Sequence, residues 1–137
     1  MLPFKLVYSD GYYLPIGHHV FPAEKYRRIR DRLLTSGVAE AGDFLEPQIA
    51  SDQDILLVHK PEYVQKLKTG TLSPREEMEM EVPYSRDLVE AFWLAAGGSI
   101  LAALEKTDWN QKKAAELLSV NPTTLSEKLK RLGIRPH

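Results

Sequence analysis

Polar and basic side chains gather towards the C-terminal end of the sequence, and their types suit the binding of a polyanion. Residues 109–137 contain six Lys or Arg against two Glu, a net charge of +4, whereas residues 1–108 contain twelve against seventeen, a net charge of −5. Cationic side chains neutralise phosphates and release their counterions, and hydroxyl and amide groups hydrogen-bond them. A solvated helix face would carry similar charges, so the motif that holds them has to decide between nucleic acid and solvent.

The sequence around these charges predicts a first short helix that ends at a tight polar corner, Ser119-Val120-Asn121. Asn121 is a favourable N-cap, and Pro122 suits the first position of a second helix, where no backbone donor is needed. The first helix carries small and branched apolar residues at helical spacing, which lets a second helix cross close to it: Ala114, Ala115, Leu117 and Leu118.

The second helix is predicted to begin at Pro122 and to end at Gly133, a residue suited to a left-handed C-cap. Its spacing buries Leu125, Leu129 and Leu132. The side chains left outside are polar or charged: Thr123, Thr124, Ser126, Glu127, Lys128, Lys130 and Arg131. Two such helices form a helix-turn-helix, and the coincidence of this motif with the basic charge favours nucleic acid over a solvated face.

Two other groups of side chains have types that could bind an ion. His18 and His19 are adjacent, so they point in different directions on a regular backbone and make a poor pair of ligands for one metal. Four arginines lie within residues 27–32 and could hold a phosphate. A solvated helix face balanced by Glu24 and Asp31 is the interpretation that the composition favours.

The N-terminal part predicts a β-α-β unit. Lys5–Ser9 is a short strand, and residues 23–34 form an amphipathic helix with Tyr26, Ile29 and Leu33 inward. Residues 44–47 predict a brief extended segment. The unbroken apolar run Ile55–His59 predicts a second strand, buried on both faces of a parallel sheet.

Three more helices follow in the sequence. Residues 61–67 form a short one that Thr69-Gly70 stops. Ser73, Pro74 and Glu76 supply a capping box and a proline for the start of another, which ends before Pro83. The longest begins at Ser85 and runs to about residue 106. Its Gly97-Gly98 pair permits close approach of another backbone.

Composition limits the class of protein. With 137 residues, 43% hydrophobic and 27% charged, the chain can fold into one compact domain or a small domain with a satellite module. It contains no cysteine, which excludes disulfides, thiolate zinc sites and cysteine nucleophiles. We see no apolar run of membrane-spanning length and no basic-then-apolar signal segment, so we expect a soluble, cytoplasmic protein without a membrane partner.

Residues 4–104 resemble the N-terminal part of a bacterial histone-deacetylase-like, or acetylpolyamine amidohydrolase, domain. The resemblance rests on KLVYSDGYYLPIGHHVFPAEKYRRIRDRLL, FLEP, DILLVHKPEYVQKLKTGTLSPREE and PYSRDLVEAFWLAAGGSILAAL, with VHKPEYV and AAGG the most specific strings. It implies a truncated αβα fragment with short parallel strands. Such deacetylases bind zinc through an Asp-x-His pair and a further Asp, and they use a His pair and a Tyr downstream of this segment.

After Leu104 the sequence changes pattern, so we carry over no catalytic residue, metal ligand or cofactor. His18-His19 lies in the first loop and does not match the catalytic His pair. The resemblance therefore implies a fragment without enzymatic activity, and we expect no small-molecule substrate for it.

Residues 109–134, WNQKKAAELLSVNPTTLSEKLKRLGI, resemble the Fis-type DNA-binding domain, found in Fis itself and at the C-terminus of bacterial enhancer-binding activators. Two positions depart from Fis: Pro122 replaces an Arg, and Glu127 stands at a basic position. The resemblance implies DNA contacts by Asn121, Thr123, Thr124 and Lys128, backbone contacts by Lys130 and Arg131, and added contacts from Lys112 and Lys113 at the start of the first helix.

Together these observations predict an α/β, helix-rich chain in two parts that share helix 85–106: a deacetylase-like fragment, 1–104, and a Fis-type helix-turn-helix, 85–137. We expect a homodimer, since the fragment leaves a sheet edge and an apolar face uncovered and Fis-type domains pair through the helices before the motif. Its recognition helices, 122–132, would enter the major groove of double-stranded DNA in a bacterial, nucleoid-associated transcription regulator. A chimeric scaffold without either parental function and a residual zinc-dependent hydrolase are the alternatives.

Overall fold

The computed structural model describes residues 1–14, 16–120, 122, 125 and 126, and these form a helix-rich α/β fold. Strand β1 is Leu6–Val7 and strand β2 is Phe44–Leu45. The α-helices are α1 Lys25–Thr35, α2 Asp52–Ile55, α3 Pro61–Thr69, α4 Pro74–Met80, α5 Arg86–Lys106 and α6 Gln111–Leu117. Short 3-10 turns cover Asp10–Tyr12 and Ala41–Asp43.

The β-α-β unit is present, but its second strand is not the predicted one. β1 pairs in parallel with β2, with Leu6 opposite Phe44 and Val7 opposite Leu45, and α1 connects the two strands. The prediction of a strand at residues 55–59 was wrong. A reciprocal cap between Ser51 and Asp54 starts α2 instead: the Asp54 backbone N–H donates to Ser51 Oγ at 3.3 Å, and the Ser51 N–H donates to Asp54 Oδ2 at 2.7 Å.

The apolar run that follows α2 is exposed. Leu57 is 45% exposed and Val58 is 74% exposed, although the sequence predicted burial on both faces of a sheet. Within the described part of the chain the sheet has only β1 and β2, so no neighbouring strand covers this run.

Helix α1 begins two residues later than predicted, and its apolar face is not buried. Tyr26 is 37% exposed and Ile29 is 56% exposed, which corrects the prediction that both point inward; Leu33 is half-buried. Aromatic contacts of Tyr26 with Tyr12 and Phe21, and the guanidinium of Arg30 over the Tyr8 ring, hold one edge of the helix.

Three of the four arginines of α1 are exposed, and the fourth, Arg30, is half-buried with its guanidinium 5.0 Å from the centre of the Tyr8 ring. Arg28 pairs with Glu24 one turn earlier, and Arg30 pairs with Asp31. Both pairs are surface contacts that contribute little to stability. This balance agrees with the interpretation of a solvated face rather than a phosphate site.

Helices α3 and α4 follow the prediction at their ends. Gly70 ends α3 in the left-handed region with φ +69°, and its backbone N–H donates to Lys66 O at 2.8 Å. Ser73 and Glu76 form the predicted capping box of α4, which ends at Met80 before Pro83. Lys66 Nζ also binds Glu76 Oε1 at 2.7 Å, so the cap of α4 is tied to α3.

Helix α5 is the central element, since its residues contribute to all three buried clusters. Leu88 and Ala91 pack on Leu14 and Ala23, whereas Val89 and Trp93 pack on residues of α2 and α3. Ser85 caps the helix by accepting from the Leu88 N–H at 3.0 Å.

The Gly97-Gly98 pair brings α5 against two other segments, as the sequence predicted. A Cβ on Gly97 would lie 1.8 Å from the backbone oxygen of Gln48, and one on Gly98 would lie 2.1 Å from the hydroxyl of Tyr12. The close approach lets the Ala50 N–H donate to Trp93 O at 3.0 Å. The residues 46–50 therefore run directly over α5.

Helix α5 is long and apolar enough to cross a membrane, by length and composition alone, with a mean hydropathy of 1.5. The expectation of no such run overlooked this helix. Half of the apolar stretch of this helix is buried inside the fold. A helix that is apolar on most sides is also what a protein core requires.

Candidate nucleic-acid interface

The candidate interface is built on α6, whose first turn is fixed by a side-chain cap. Asn110 Oδ1 accepts a hydrogen bond from the Lys113 backbone N–H at 3.1 Å. Lys112 and Lys113, both predicted DNA contacts, are exposed on this turn. Neither lysine forms an ion pair with any residue that the structure describes, and both are exposed to solvent.

Small residues hold the motif together. Ala114 and Ala115 are both 0% exposed, and they form one buried cluster with Leu104 of α5 and Leu125, each also 0% exposed. A helix without side-chain bulk on its inner face allows another helix to approach closely. This packing confirms the predicted inward face of Ala114, Ala115 and Leu125, whereas Leu117 is 53% exposed rather than inward.

A tight turn sets the direction of α6 relative to α5. Asp108 and Trp109 both have positive φ, +48° and +59°, which is uncommon for residues with a Cβ. Leu104 O accepts from the Thr107 and Trp109 backbone N–H groups at 3.1 and 2.8 Å, and Trp109 Nε1 donates to Glu105 Oε1 at 2.8 Å. These bonds hold both unusual residues in place.

The corner after α6 is a Schellman motif with serine in the left-handed position. Ser119 has φ +54°, its N–H donates to Glu116 O at 3.1 Å, and the Val120 N–H donates to Ala115 O at 2.9 Å. The corner is therefore defined by the backbone of α6 itself. The sequence indicated the corner but not its left-handed residue, because glycine is the usual signal for that conformation.

The second helix of the motif is described at Pro122, Leu125 and Ser126, all helical, with Pro122 exposed and Leu125 buried. The other predicted contact residues lie outside the described residues and stay predictions: Asn121, Thr123, Thr124, Lys128, Lys130 and Arg131. The predicted buried Leu129 and Leu132 lie outside them as well.

His19 has a structural partner on each ring nitrogen. The Phe21 N–H donates to its Nδ1 at 3.0 Å, which makes Nε2 the donor to Glu81 O at 2.8 Å. The ring therefore ties the first loop to the end of α4. Among the residues that the structure describes, no three or more His, Asp or Glu side chains form a group that could hold a metal ion.

The sequence analysis did not identify a line of uncharged, exposed side chains along one side of α5. The α5 stripe, as we name it, consists of Phe92, Ala95, Ser99 and Ala102, all exposed on a helix that is otherwise mostly buried. Their spacing of three, four and three residues places them on one side of the helix. That spacing was visible in the sequence but was masked by the apolar residues on every other side.

Comparison with known proteins places the motif in a family. Residues 99–132 match the family described as bacterial regulatory protein, Fis family. The match begins inside α5 and includes α6, the corner and the described part of the second helix. This segment is a Fis-type helix-turn-helix, a DNA-binding motif.

The N-terminal three quarters of the chain are similar to two much longer proteins. An uncharacterized protein of Picosynechococcus sp. is 36% identical over 101 residues, which cover 73% of this chain and 34% of that protein. The acetoin utilization protein AcuC of Bacillus subtilis is 32% identical over 114 residues, 75% of this chain and 28% of AcuC. The chain thus spans about a third of the length of these relatives.

Proposed function

We propose that this chain is a homodimeric, non-enzymatic DNA-binding protein that presents two recognition helices, residues 122–132, to successive major grooves. The observation that carries the proposal is the Fis-family match on a helix pair whose small inner residues, Ala114 and Ala115, are fully buried. A nucleoid-associated role in bacterial transcription regulation, within the cytoplasm, follows from this proposal.

Charge supports duplex DNA as the ligand. Residues 109–137 have a net charge of +4 in a chain whose total is −1, and Lys112 and Lys113 are exposed at the start of α6. Phosphate contacts by such lysines give affinity that falls steeply with salt, while contacts from the recognition helix select the sequence.

The test is a fluorescence-anisotropy titration of a generic 24-base-pair duplex at several salt concentrations. We expect Lys112→Ala/Lys113→Ala to weaken binding and to flatten the slope of log affinity against log salt by about 0.9 per lost phosphate contact. The matched control is Arg32→Ala/Lys60→Ala, which removes the same charge from exposed positions outside the motif. Absence of binding at low salt, or binding indifferent to salt, would favour a chimeric scaffold without either parental function.

The α5 stripe supports a homodimer. It exposes Phe92 beside small uncharged residues, next to an apolar groove of about 540 Å³ formed with β1, Tyr12 and Tyr26. The groove lies where the two-stranded sheet has no further strand among the described residues. A second copy of α5 would cover both surfaces.

An antiparallel pairing of the two α5 helices makes the stripe complementary to itself. With the two-fold axis at residue 97, Phe92 faces Ala102 of the partner subunit and Ala95 faces Ser99 of the partner subunit, so large meets small. The same pairing brings Lys106 to the first turn of the partner helix, where Asp87 supplies the opposite charge.

Light scattering at micromolar concentration tests this pairing. We expect the wild-type chain to have the mass of a dimer and Ala95→Glu to have that of a monomer, since the substitution places two carboxylates in the interface. Leu117→Glu adds the same charge at an exposed position of α6, and this variant should remain a dimer. A monomeric wild type, or a dimeric Ala95→Glu, would contradict the proposed interface.

We propose no enzymatic activity for the deacetylase-like part. The residues that the resemblance assigns to zinc and to catalysis have no counterpart in the sequence after Leu104, where the Fis-type pattern takes over. Zinc hydrolysis needs such ligands together with an open coordination position. Turnover of an acetyl-lysine peptide that depends on added zinc and stops with chelator would instead support the residual hydrolase.

A further inference from the structure

An apolar cleft lies at the junction between the helix-turn-helix and the rest of the chain. We name it the junction cleft; its volume is about 480 Å³. Its walls come from the turn after α2, from α3, α4 and α5, and from the corner and second helix of the motif. Side chains that define it include His59, Tyr63, Phe92, Trp93, Val120 and Leu125.

The deepest wall of the cleft is held rigidly. Trp93 is 7% exposed, and its indole N–H donates to Asp52 Oδ1 at 3.0 Å. Lys68 binds the other carboxylate oxygen, and this ammonium group together with the indole N–H lowers the pKa of Asp52. The acid therefore stays ionised and keeps the tryptophan in one orientation.

The mouth of the cleft, in contrast, leaves apolar groups in water. Val58 and Leu57 line it and are 74% and 45% exposed. Apolar surface of this kind marks a place where a ligand would gain free energy by excluding water. Because several segments of the chain border the cleft, it suits a compact molecule. The volume of the cleft lies within the usual range of about 300–1,000 Å³ for small-molecule sites.

The lining indicates the chemistry of that molecule. Two aromatic rings outside the α5 stripe, Tyr63 and Trp93, offer flat surfaces for an aromatic ligand. The rings of His59 and Tyr63 stand 5.8 Å apart, and their polar atoms can hydrogen-bond a hydroxyl or carbonyl.

We propose that the junction cleft binds a small aromatic molecule with one hydrogen-bonding group, and that its occupancy alters DNA binding. The ligand would contact Val120 and Leu125 of the motif on one side and Trp93 on the other. A molecule that contacts both parts biases their relative arrangement, and the coupling acts in both directions. This second half of the proposal rests on the DNA-binding function proposed above.

Binding is tested first, without DNA, using 1-naphthol as the probe. In a Trp109→Phe background Trp93 is the one remaining tryptophan of the two in the chain, and we expect 1-naphthol to quench its fluorescence to saturation at one molecule per chain. Ala96→Leu, which fills the cleft, should weaken binding about tenfold. Ala41→Leu, the same change at an exposed position that lines neither the cleft nor the groove beside the α5 stripe, should leave it unchanged.

Three outcomes would overturn the site: quenching that does not saturate, equal binding by both leucine variants, or loss of binding in both. Circular dichroism of each variant confirms that the fold is retained. If the probe binds, the duplex titration is repeated with and without 1-naphthol. A shift of at least about threefold in DNA affinity, abolished by Ala96→Leu, is expected. An unchanged affinity refutes the coupling, whereas absence of DNA binding in either condition refutes the DNA-binding function and leaves the site standing.

Discussion

Replacing Gly97 by alanine should destabilise the chain strongly, although alanine is the better helix former. The helical preference alone favours alanine by about 1 kcal/mol. The added Cβ, however, would lie 1.8 Å from Gln48 O and 3.0 Å from Ala50 N. Both atoms belong to the backbone, so a whole segment has to move rather than one side chain.

The size of the effect follows from what that movement breaks. Separating residues 48–50 from α5 removes the hydrogen bond from the Ala50 N–H to Trp93 O, and leaving such buried groups unpaired costs about 1–3 kcal/mol. Overpacking adds about 1–3 kcal/mol. After the helical gain is subtracted, we expect a net loss of about 3 kcal/mol in the free energy of unfolding, or about 10 °C in Tm for a chain of this size.

Gly98→Ala is the matched control on the same helix. Its Cβ would lie 2.1 Å from the Tyr12 hydroxyl, the far end of a side chain that can rotate. Urea unfolding should therefore show a smaller loss, about 1 kcal/mol, which Tyr12→Phe largely removes. The variant Gly97→Ala could instead prove as stable as the wild type, or more stable by the helical preference of alanine over glycine. In that case the segment 48–50 does not approach α5 as described.

Two further changes test other parts of the fold. Ser119→Gly should raise the free energy of unfolding by about 1 kcal/mol, because serine holds a left-handed conformation that glycine adopts without strain; thermal unfolding measures it, and a lower Tm would contradict the corner geometry. Lys66 and the Ser73 cap lower the pKa of Glu76 to about 2, so the stability from this carboxylate is present above its unfolded pKa of about 4.3 and is lost as the pH falls towards 2. Urea midpoints at pH 7 and pH 3 should therefore differ less in Glu76→Gln than in the wild type, and an equal difference would exclude this role.

Helix ends and the close approach at α5 could be predicted from the sequence, because local residues determine them and the tertiary structure keeps them. Ser85, Ser73 and Gly70 mark helix ends that depend only on neighbouring residues, and each is found at its predicted end. The Gly97-Gly98 pair correctly indicated a close approach, because few other features justify two glycines inside a long helix.

Predictions failed where burial depends on which elements are available to cover a surface. Ile55 ends a helix rather than opening a strand, and the Ser51 and Asp54 cap was the signal that an apolar run concealed. Tyr26 and Ile29 have inward-facing periodicity, yet both stay more than a third exposed, Tyr26 despite its ring contacts with Tyr12 and Phe21. A sequence pattern states which face is apolar, but the neighbours decide whether that face is buried.

Helix α5 has a consequence for modular exchange. Its first half packs on the N-terminal part through Leu88 and Trp93, and its second half supplies Ile100 and Leu104 to the core of the Fis-type motif. A recombination point placed after Leu104 would transfer a motif without half of its interior. A transplant that keeps DNA recognition intact must carry α5 from Ile100 onward, and the recipient must end in a helix that continues into it without a break.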